Sequence, residues 1–513
     1  MKPSIARQLQ ARKRRIKIRL AKANEDKYER LARGAGPVLD PPGVKYELAD
    51  KARGIAYGGV GLMVKLAREV GLVREIDQRL HLLQRHVPYH ESDHVLNLAL
   101  NALCDATCLQ DIELRRNDEV FLDALGTQSI PDPTTAGDFC RRFTQESLND
   151  LQAAIHAARL NVWRRQSAEF FAEAVIDMDS THVITIGECK QGMDISYKGE
   201  WGYHPLLFTL ANTGELLALV NRSGNRPSEE GAADMVDEMI ALCRQGGFRT
   251  IRLRGDTAFS QTQHLDRWDA ADVIFQFGYD SKSNLKEIAE NLPKSAWKKL
   301  TRPPAYTRQG PGRERPAKVK RQIIRQREYL HLELQSEEVA EFEYRPTACN
   351  RSYRLIVVRK NISQEKGEKR LLDEIRYLFY ITNDYEATPT QIVFGCNDRC
   401  DQENLIAQLA GGVRALTAPV DNLISNGAYM LMTSLAWTLK AWAALLLPVE
   451  PRKREEHQAE RRTWLRMEFK TFINAVMRIP CQIVRQARQT VYRLLGWNPF
   501  LSGFFRLCDV LHC

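Results

Sequence analysis

The chain predicts an α/β or α+β core set between helical ends, and three observations predict it. Between about residues 51 and 165, apolar positions recur near a 3.6-residue period. From about 170 to 280 they fall instead in short runs broken by Gly and Asn, with one helical stretch among them. After a segment rich in Pro and basic residues, further strand-like runs precede a return to helical periodicity at Pro389. That alternation suits a mixed sheet covered by helices.

The elements follow in order. Residues 1–50 read as a basic arm. Positions 2 to 33 hold twelve Lys/Arg against three acids, including Arg12, Lys13, Arg14 and Arg15, and Gly and Pro then break the pattern through Gly34 to Gly43. Residues 51–165 read as a helical region: Val60, Leu62, Met63, Leu66 and Val70 share one stripe, and Val95, Leu96, Leu98, Leu100 and Leu103 another. The turn Pro131-Asp132-Pro133-Thr134-Thr135 offers caps for a helix carrying Arg141 and Arg142. Residues 166–290 give strands at Ala174–Met178, His182–Ile186, Leu206–Leu210 and Leu216–Val220, a helix from Glu229 to Gln245, then strands Thr250–Leu253 and Val273–Phe277.

Residues 291–385 form a β-rich insertion, with runs at Tyr329–Leu334, Glu341–Tyr344, Tyr353–Val358 and Arg376–Ile381. Residues 386–450 resume the core with helices. The apolar stretch Ala428–Leu447 is long enough to suggest a membrane span, but Lys440 interrupts it and a buried helix is expected. Residues 451–513 are basic and read as helical.

A chain of 513 residues exceeds one simple core and predicts several domains. The net charge of +10 gathers at the two ends, which points to a polyanion, most simply nucleic acid. Arg115, Arg116, Arg141 and Arg142 are candidate DNA contacts alongside the arm. The first residues are polar and basic, without a signal-like apolar core, and the eleven cysteines form no framework, so a cytoplasmic location and no membrane are expected. Cys104/Cys108 and Cys396/Cys400 lack a second pair at zinc spacing and read as small buried residues on helices. The absence of a Gly-x-x-x-x-Gly-Lys-Ser/Thr loop argues against a nucleotide cofactor.

Three acids carry the chemistry. Asp179 closes the strand-like run from Ala174, Asp256 follows Thr250–Leu253, and Glu403 sits on a helix four residues after Arg399. Each also has an ordinary reading: a strand-end turn, a loop cap, and an i,i+4 helical ion pair. Asp177 and Asp179 share one face of their strand, so either can be the first acid. Two strand-end aspartates and a helical glutamate are together what a two-metal phosphoryl-transfer site needs.

Asp179-Ser180-Thr181, Arg254-Gly255-Asp256-Thr257-Ala258-Phe259 and Asn397-Asp398-Arg399-Cys400-Asp401-Gln402-Glu403 resemble the three acidic motifs of DDE transposases of bacterial insertion sequences. The likeness is to the group whose RNase H-like core is split by a β-rich insertion. Asp105–Asp118, Pro131–Phe143, Gly202–Leu206 and Ile479–Arg493 add to it, so that it spans roughly residues 55 to 500. The resemblance implies an RNase H-like mixed sheet flanked by helices. It implies that Asp179, Asp256 and Glu403 hold two Mg²⁺ ions (Mn²⁺ substituting), with Asp177 and Arg399 in support. It also implies double-stranded DNA partners, namely terminal inverted repeats and target, bound by a homodimer that holds two ends together. Where the group often carries a Tyr three residues before the Arg and a Lys after the Glu, this chain has Cys396 and then Gln408, Ala410 and Gly411.

Overall fold

The computed structural model describes residues 2–32, 52–302, 323, 326–327, 330–366, 369–370, 374–486 and 489–513. The Gly- and Pro-broken stretch from Gly34 to Gly43 lies outside them. In the insertion, Trp297 is half-buried and lies under the Arg359 guanidinium, 4.2 Å from the ring centre.

The basic arm is one helix, Pro3–Ala32. Leu9 packs on the core, and Arg12 Nη1 donates to the carbonyls of Leu494 and Gly496, both at 2.9 Å, tying the arm to the far end of the chain. The short strand β1 (Gly54–Ile55) follows, then helices from Val60–Glu69 to Gln145–Trp163. Their starts obey local capping rules. Asp132 accepts from the Thr135 N–H at 2.8 Å with Pro133 opening the helix Pro133–Arg141.

The core begins with β2 (Glu173–Ser180). A small three-stranded sheet of β3 (Val183–Ile184), β4 (Asp194–Ile195) and β5 (Trp201–Tyr203) rises from its end. The hairpin β6 (Leu206–Leu210) and β7 (Glu215–Val220) then pairs antiparallel to β2. The helix Ala232–Gly246 crosses over to β8 (Thr250–Gly255), which lies parallel to β2, and β9 (Val273–Tyr279) lies parallel to β8. The order β7-β6-β2-β8-β9, with an antiparallel hairpin on one side and two parallel strands on the other, is the RNase H-like arrangement.

The insertion continues this sheet rather than standing beside it. β10 (Lys298–Lys299), β11 (Leu330–Tyr344), β12 (Tyr353–Lys366), the short β13 (Lys369–Arg370) and β14 (Glu374–Thr382) extend it through β14 on β9, giving ten strands. The two runs expected at Tyr329–Leu334 and Glu341–Tyr344 are one strand. It stays paired with β12 through an irregularity between Leu334 and Ser336, so polar residues in its middle do not break it.

Helices cover the sheet. Every residue of Leu423–Leu445 from Ser425 onward is buried, which accounts for its continuous apolarity. Among the described residues, no helix is long and apolar enough to cross a membrane. That helix is fastened to the sheet at Glu215, a fully buried carboxylate. Trp442 Nε1 donates to it at 2.8 Å, Trp163 Nε1 at 3.1 Å, Thr213 Oγ1 at 2.8 Å and Arg159 Nε at 3.2 Å. A buried charge so surrounded is stabilised by its partners.

The last region departs from an all-helical expectation. Helices Arg454–Arg466 and Leu501–Val510 flank a hairpin, β15 (Cys481–Gln486) and β16 (Gln489–Leu494), and β15 also pairs with β1. Cys481 and Ile483 point inward while Gln482 points out, a period of two hidden among basic residues.

Candidate active site

β2 and β8 run side by side in the same direction, so the residues that end them emerge together. In open α/β sheets that carboxyl edge is where ligands bind. Asp179 is the penultimate residue of β2, and its Oδ1 accepts the Ser180 N–H at 2.8 Å. Asp256 follows β8 and caps the turn Thr257–Phe259, accepting the Ala258 N–H at 2.9 Å. The turn lies hard against β9. A Cβ on Gly278 would stand 2.9 Å from the Thr257 backbone nitrogen, so only glycine lets Asp256 sit there.

Asp177 and Asp179 point to one face but serve different ends. Asp177 is 1% exposed and lies opposite Arg254 in the parallel register. Arg254 Nε and Nη2 donate to its two oxygens at 2.6 and 2.8 Å, and Arg254 Nη1 donates to the Gly395 carbonyl at 2.8 Å. Burial opposes the charge on Arg254, but Asp177 outweighs it and raises the guanidinium pKa. With both oxygens taken, Asp177 is a strap between β2, β8 and the helix Pro389–Asn397.

The side chain of Asp179 is 17% exposed. Burial pushes its carboxyl above the usual range and the charge of Asp256 adds to that, while Arg399 and the Ser180 N–H pull the other way. Arg399 Nη1 donates to Asp179 Oδ2 at 2.8 Å, and Nη2 lies 3.8 Å from Glu403 Oε1. Glu403 is 61% exposed, on the helix Cys400–Ala407. Gln402, beside it, is buried and donates to the carbonyl of Leu207, the β6 residue paired with Asp179, which seats this helix over the acids.

One guanidinium therefore links the first aspartate to the glutamate, and the second aspartate acts on the first through space. The three are not drawn into a closed ligand cage. Among the described residues, the one group of three ligating atoms all within 4.8 Å of one another is His86, His90 and Glu91. The donor set still fits a hard divalent cation: carboxylate oxygens, a desolvated like-charge pair, and a cleft alongside. That cleft, 320 Å³, is lined by Asp256, Tyr380, Cys396, Asn397, Arg399 and also Asp280. Asp280 escapes the motif reading. It follows β9 as Asp256 follows β8, and the apolar run ending Gly278-Tyr279-Asp280 was its signal.

His182 and His204 stack at 4.2 Å, and His204 Nδ1 bonds the Arg226 carbonyl at 2.8 Å; burial lowers both pKa values, as structural histidines require. Burial pushes the Cys396 thiol up to about 12. Cys108 and Cys400 are exposed, contrary to the buried reading of their pairs. Gln408 begins a π-turn and accepts the Phe469 N–H at 2.9 Å, so a lysine is replaced there by a helix-fastening amide.

The proposed DNA contacts divide. Lys13, Arg14 and Arg15 are exposed on the arm, whereas Arg12 is engaged as above. Arg115 is 7% exposed and donates to Asn101 Oδ1, so it is a packing residue and not a phosphate contact. Arg116 is exposed beside Glu113, Arg141 pairs with Asp138 and Asp421, and Arg142 is exposed.

No curated protein is significantly similar to this chain. Among solved structures it is similar to the piggyBac transposase in a cryo-EM synaptic complex with hairpin DNA, at 10% identity over 83% of each chain with a TM-score of 0.36. The profile of the family described as Transposase DDE domain group 1 matches residues 54–511, taking in the core, the insertion and the C-terminal hairpin, and all three acidic motifs fall within it. The chain belongs to the Transposase DDE domain group 1 family.

Proposed function

We propose that this protein binds the terminal inverted repeats of a bacterial insertion sequence in the cytoplasm and catalyses Mg²⁺-dependent DNA strand cleavage and strand transfer. The observation that carries the reading is the convergence of Asp179 and Asp256 on adjoining parallel strand ends, with Glu403 joined to Asp179 through Arg399.

Asp179, Asp256 and Glu403 would hold two Mg²⁺ ions, whose charge would supply activation of the attacking oxygen and stabilisation of the leaving one at a phosphodiester. Asp177 and Arg254 keep β2 and β8 in register, so that the two aspartates present oxygens from a rigid edge. Arg399 neutralises Asp179 before the site is loaded and can then turn toward a DNA phosphate, because its side chain is itself partly exposed. Lys13, Arg14, Arg15, Arg116 and Arg142 supply salt-sensitive phosphate contacts. Two ends must be held at once, so the working form on DNA is a homodimer.

A second reading, a DNA-binding derivative without catalysis, is favoured by one observation: Cys396 and Gln408 replace the expected phosphate-gripping pair, and Gln408 is committed to Phe469. A plain metal-dependent nuclease is the third. Purified protein incubated with Mg²⁺ and DNA bearing the inverted repeats that flank its reading frame separates them. Joined products support the proposal, nicks without joining favour a nuclease, and a stable complex without nicks favours the derivative.

A further inference from the structure

Away from the acidic site, ligand-type side chains converge where the loop after the helix Leu72–Arg79 meets the helix Glu91–Leu103. His86, His90 and Glu91 each bring one ligating atom within 4.8 Å of the others. Glu91 is 1% exposed, and its Oε1 accepts the N–H groups of Leu82 and Leu83 at 3.1 and 3.0 Å. Burial works against its ionisation, but the N–H groups of Leu83, of Glu91 itself and of Leu82, together with His86, outweigh it and hold the carboxyl below its usual range. Its free oxygen, Oε2, lies 3.1 Å from His86 Nε2. The His86 and His90 rings are parallel, 5.0 Å apart, on the exposed side.

The expectation that the chain has no His-Glu-x-x-His helix, and so is no zinc protease, overlooks His90-Glu91-Ser92-Asp93-His94, which has that spacing. That motif needs both histidines on one helical face. Here His90 is extended (φ −94°, ψ 168°) just before the helix, and His94 is buried with its ring 4.3 Å from Phe139. The two cannot share an ion, so a protease site is not formed. The partner of His90 is His86, four residues earlier.

We propose that His86, His90 and Glu91 bind one Zn²⁺ ion, separate from the cations of the acidic site. Two imidazoles and a carboxylate with one open position are a zinc donor set, while the all-oxygen acidic site suits Mg²⁺. The Leu82 and Leu83 N–H groups do for Glu91 what outer-shell partners do at metal sites: they fix the ligand's orientation before the ion arrives. The ion would close the loop 80–90 onto the start of the helix Glu91–Leu103, which packs on the buried helix Leu423–Leu445.

The test uses the full chain stripped with EDTA and titrated with Co²⁺ in millimolar Mg²⁺, which occupies oxygen-only sites. One equivalent of Co²⁺ is expected to give the visible bands of four-coordinate cobalt, displaced by Zn²⁺, with a rise in Tm on Zn²⁺ addition. His86→Gln and His90→Gln are exposed changes that leave the fold intact. Each is expected to lose the bands and the Tm rise, weakening binding by more than the roughly 10–100-fold that loss of an outer-shell partner costs. Asp256→Asn is expected to keep both. Failure of the wild type to bind the equivalent, or its retention in either histidine variant, overturns the site and leaves the proposed DNA chemistry untouched.

Discussion

Asp177 and Asp179 stand two residues apart on the same face of β2, and the two-residue strand period that places them together cannot tell them apart. What separates them is long-range: the strand ends at Ser180, and Arg254 arrives from β8 to claim both oxygens of Asp177. Removing one partner of a buried ion pair leaves the other uncompensated, which costs about 3–5 kcal/mol. Asp177→Ala is therefore expected to lower stability by that order, read by urea unfolding. Asp179→Asn behaves oppositely. Burial raises the pKa of both aspartates, but Arg399, the partner of Asp179, is partly exposed and keeps Glu403 nearby, so the neutral Asp179 variant is expected to unfold no earlier than the wild type while losing cleavage. Equal destabilisation by the two changes would mean that the division of roles is wrong.

Among elements, strands and helices with a clean period were legible, and those fixed by tertiary pairing were not. β2, β6, β8 and β9 fall close to their expected runs because their residues are buried or half-buried throughout. The hairpin of β15 and β16 looks helical in sequence, since its basic residues mask an alternation that becomes clear only when β1 pairs beside it. Two element contacts give tests. Glu215 joins β7 to the helices Gln145–Trp163 and Leu423–Leu445, so Glu215→Ala strands Arg159 in the core and is expected to cost about 3–5 kcal/mol in a denaturant titration. Gly278→Ala pushes β9 against the Asp256 turn, and its expected signature is loss of cleavage exceeding the loss of Tm.

At the scale of the molecule, the RNase H-like plan and the position of the insertion were legible from the order of periodicities and from the three motifs. The continuity of the insertion with the core sheet was not, because strand neighbours across β9 and β14 are about a hundred residues apart in sequence. The buried helix Leu423–Leu445 carries a global pH signature. Lys440 donates to the Leu465 carbonyl at 2.8 Å and lies 3.9 Å over the Trp437 ring, and burial lowers its pKa to about 7. An unfolded lysine keeps its proton to about pH 10.4. Between those values the unfolded chain binds more protons, so this residue makes stability rise with pH. Lys440→Met is expected to flatten that slope between pH 7 and 9.

The account turns on one site being shared by Asp179, Asp256 and Glu403. Single-turnover cleavage of end-bearing DNA in Mg²⁺, set beside gel-shift binding in Ca²⁺, measures it for Asp179→Asn, Asp256→Asn and Glu403→Gln. The predicted result is DNA binding close to wild type and cleavage slowed by about 1000-fold, roughly 4 kcal/mol of barrier, in each variant. Cleavage at the wild-type rate in any of the three would contradict the assignment of that residue and the shared site with it.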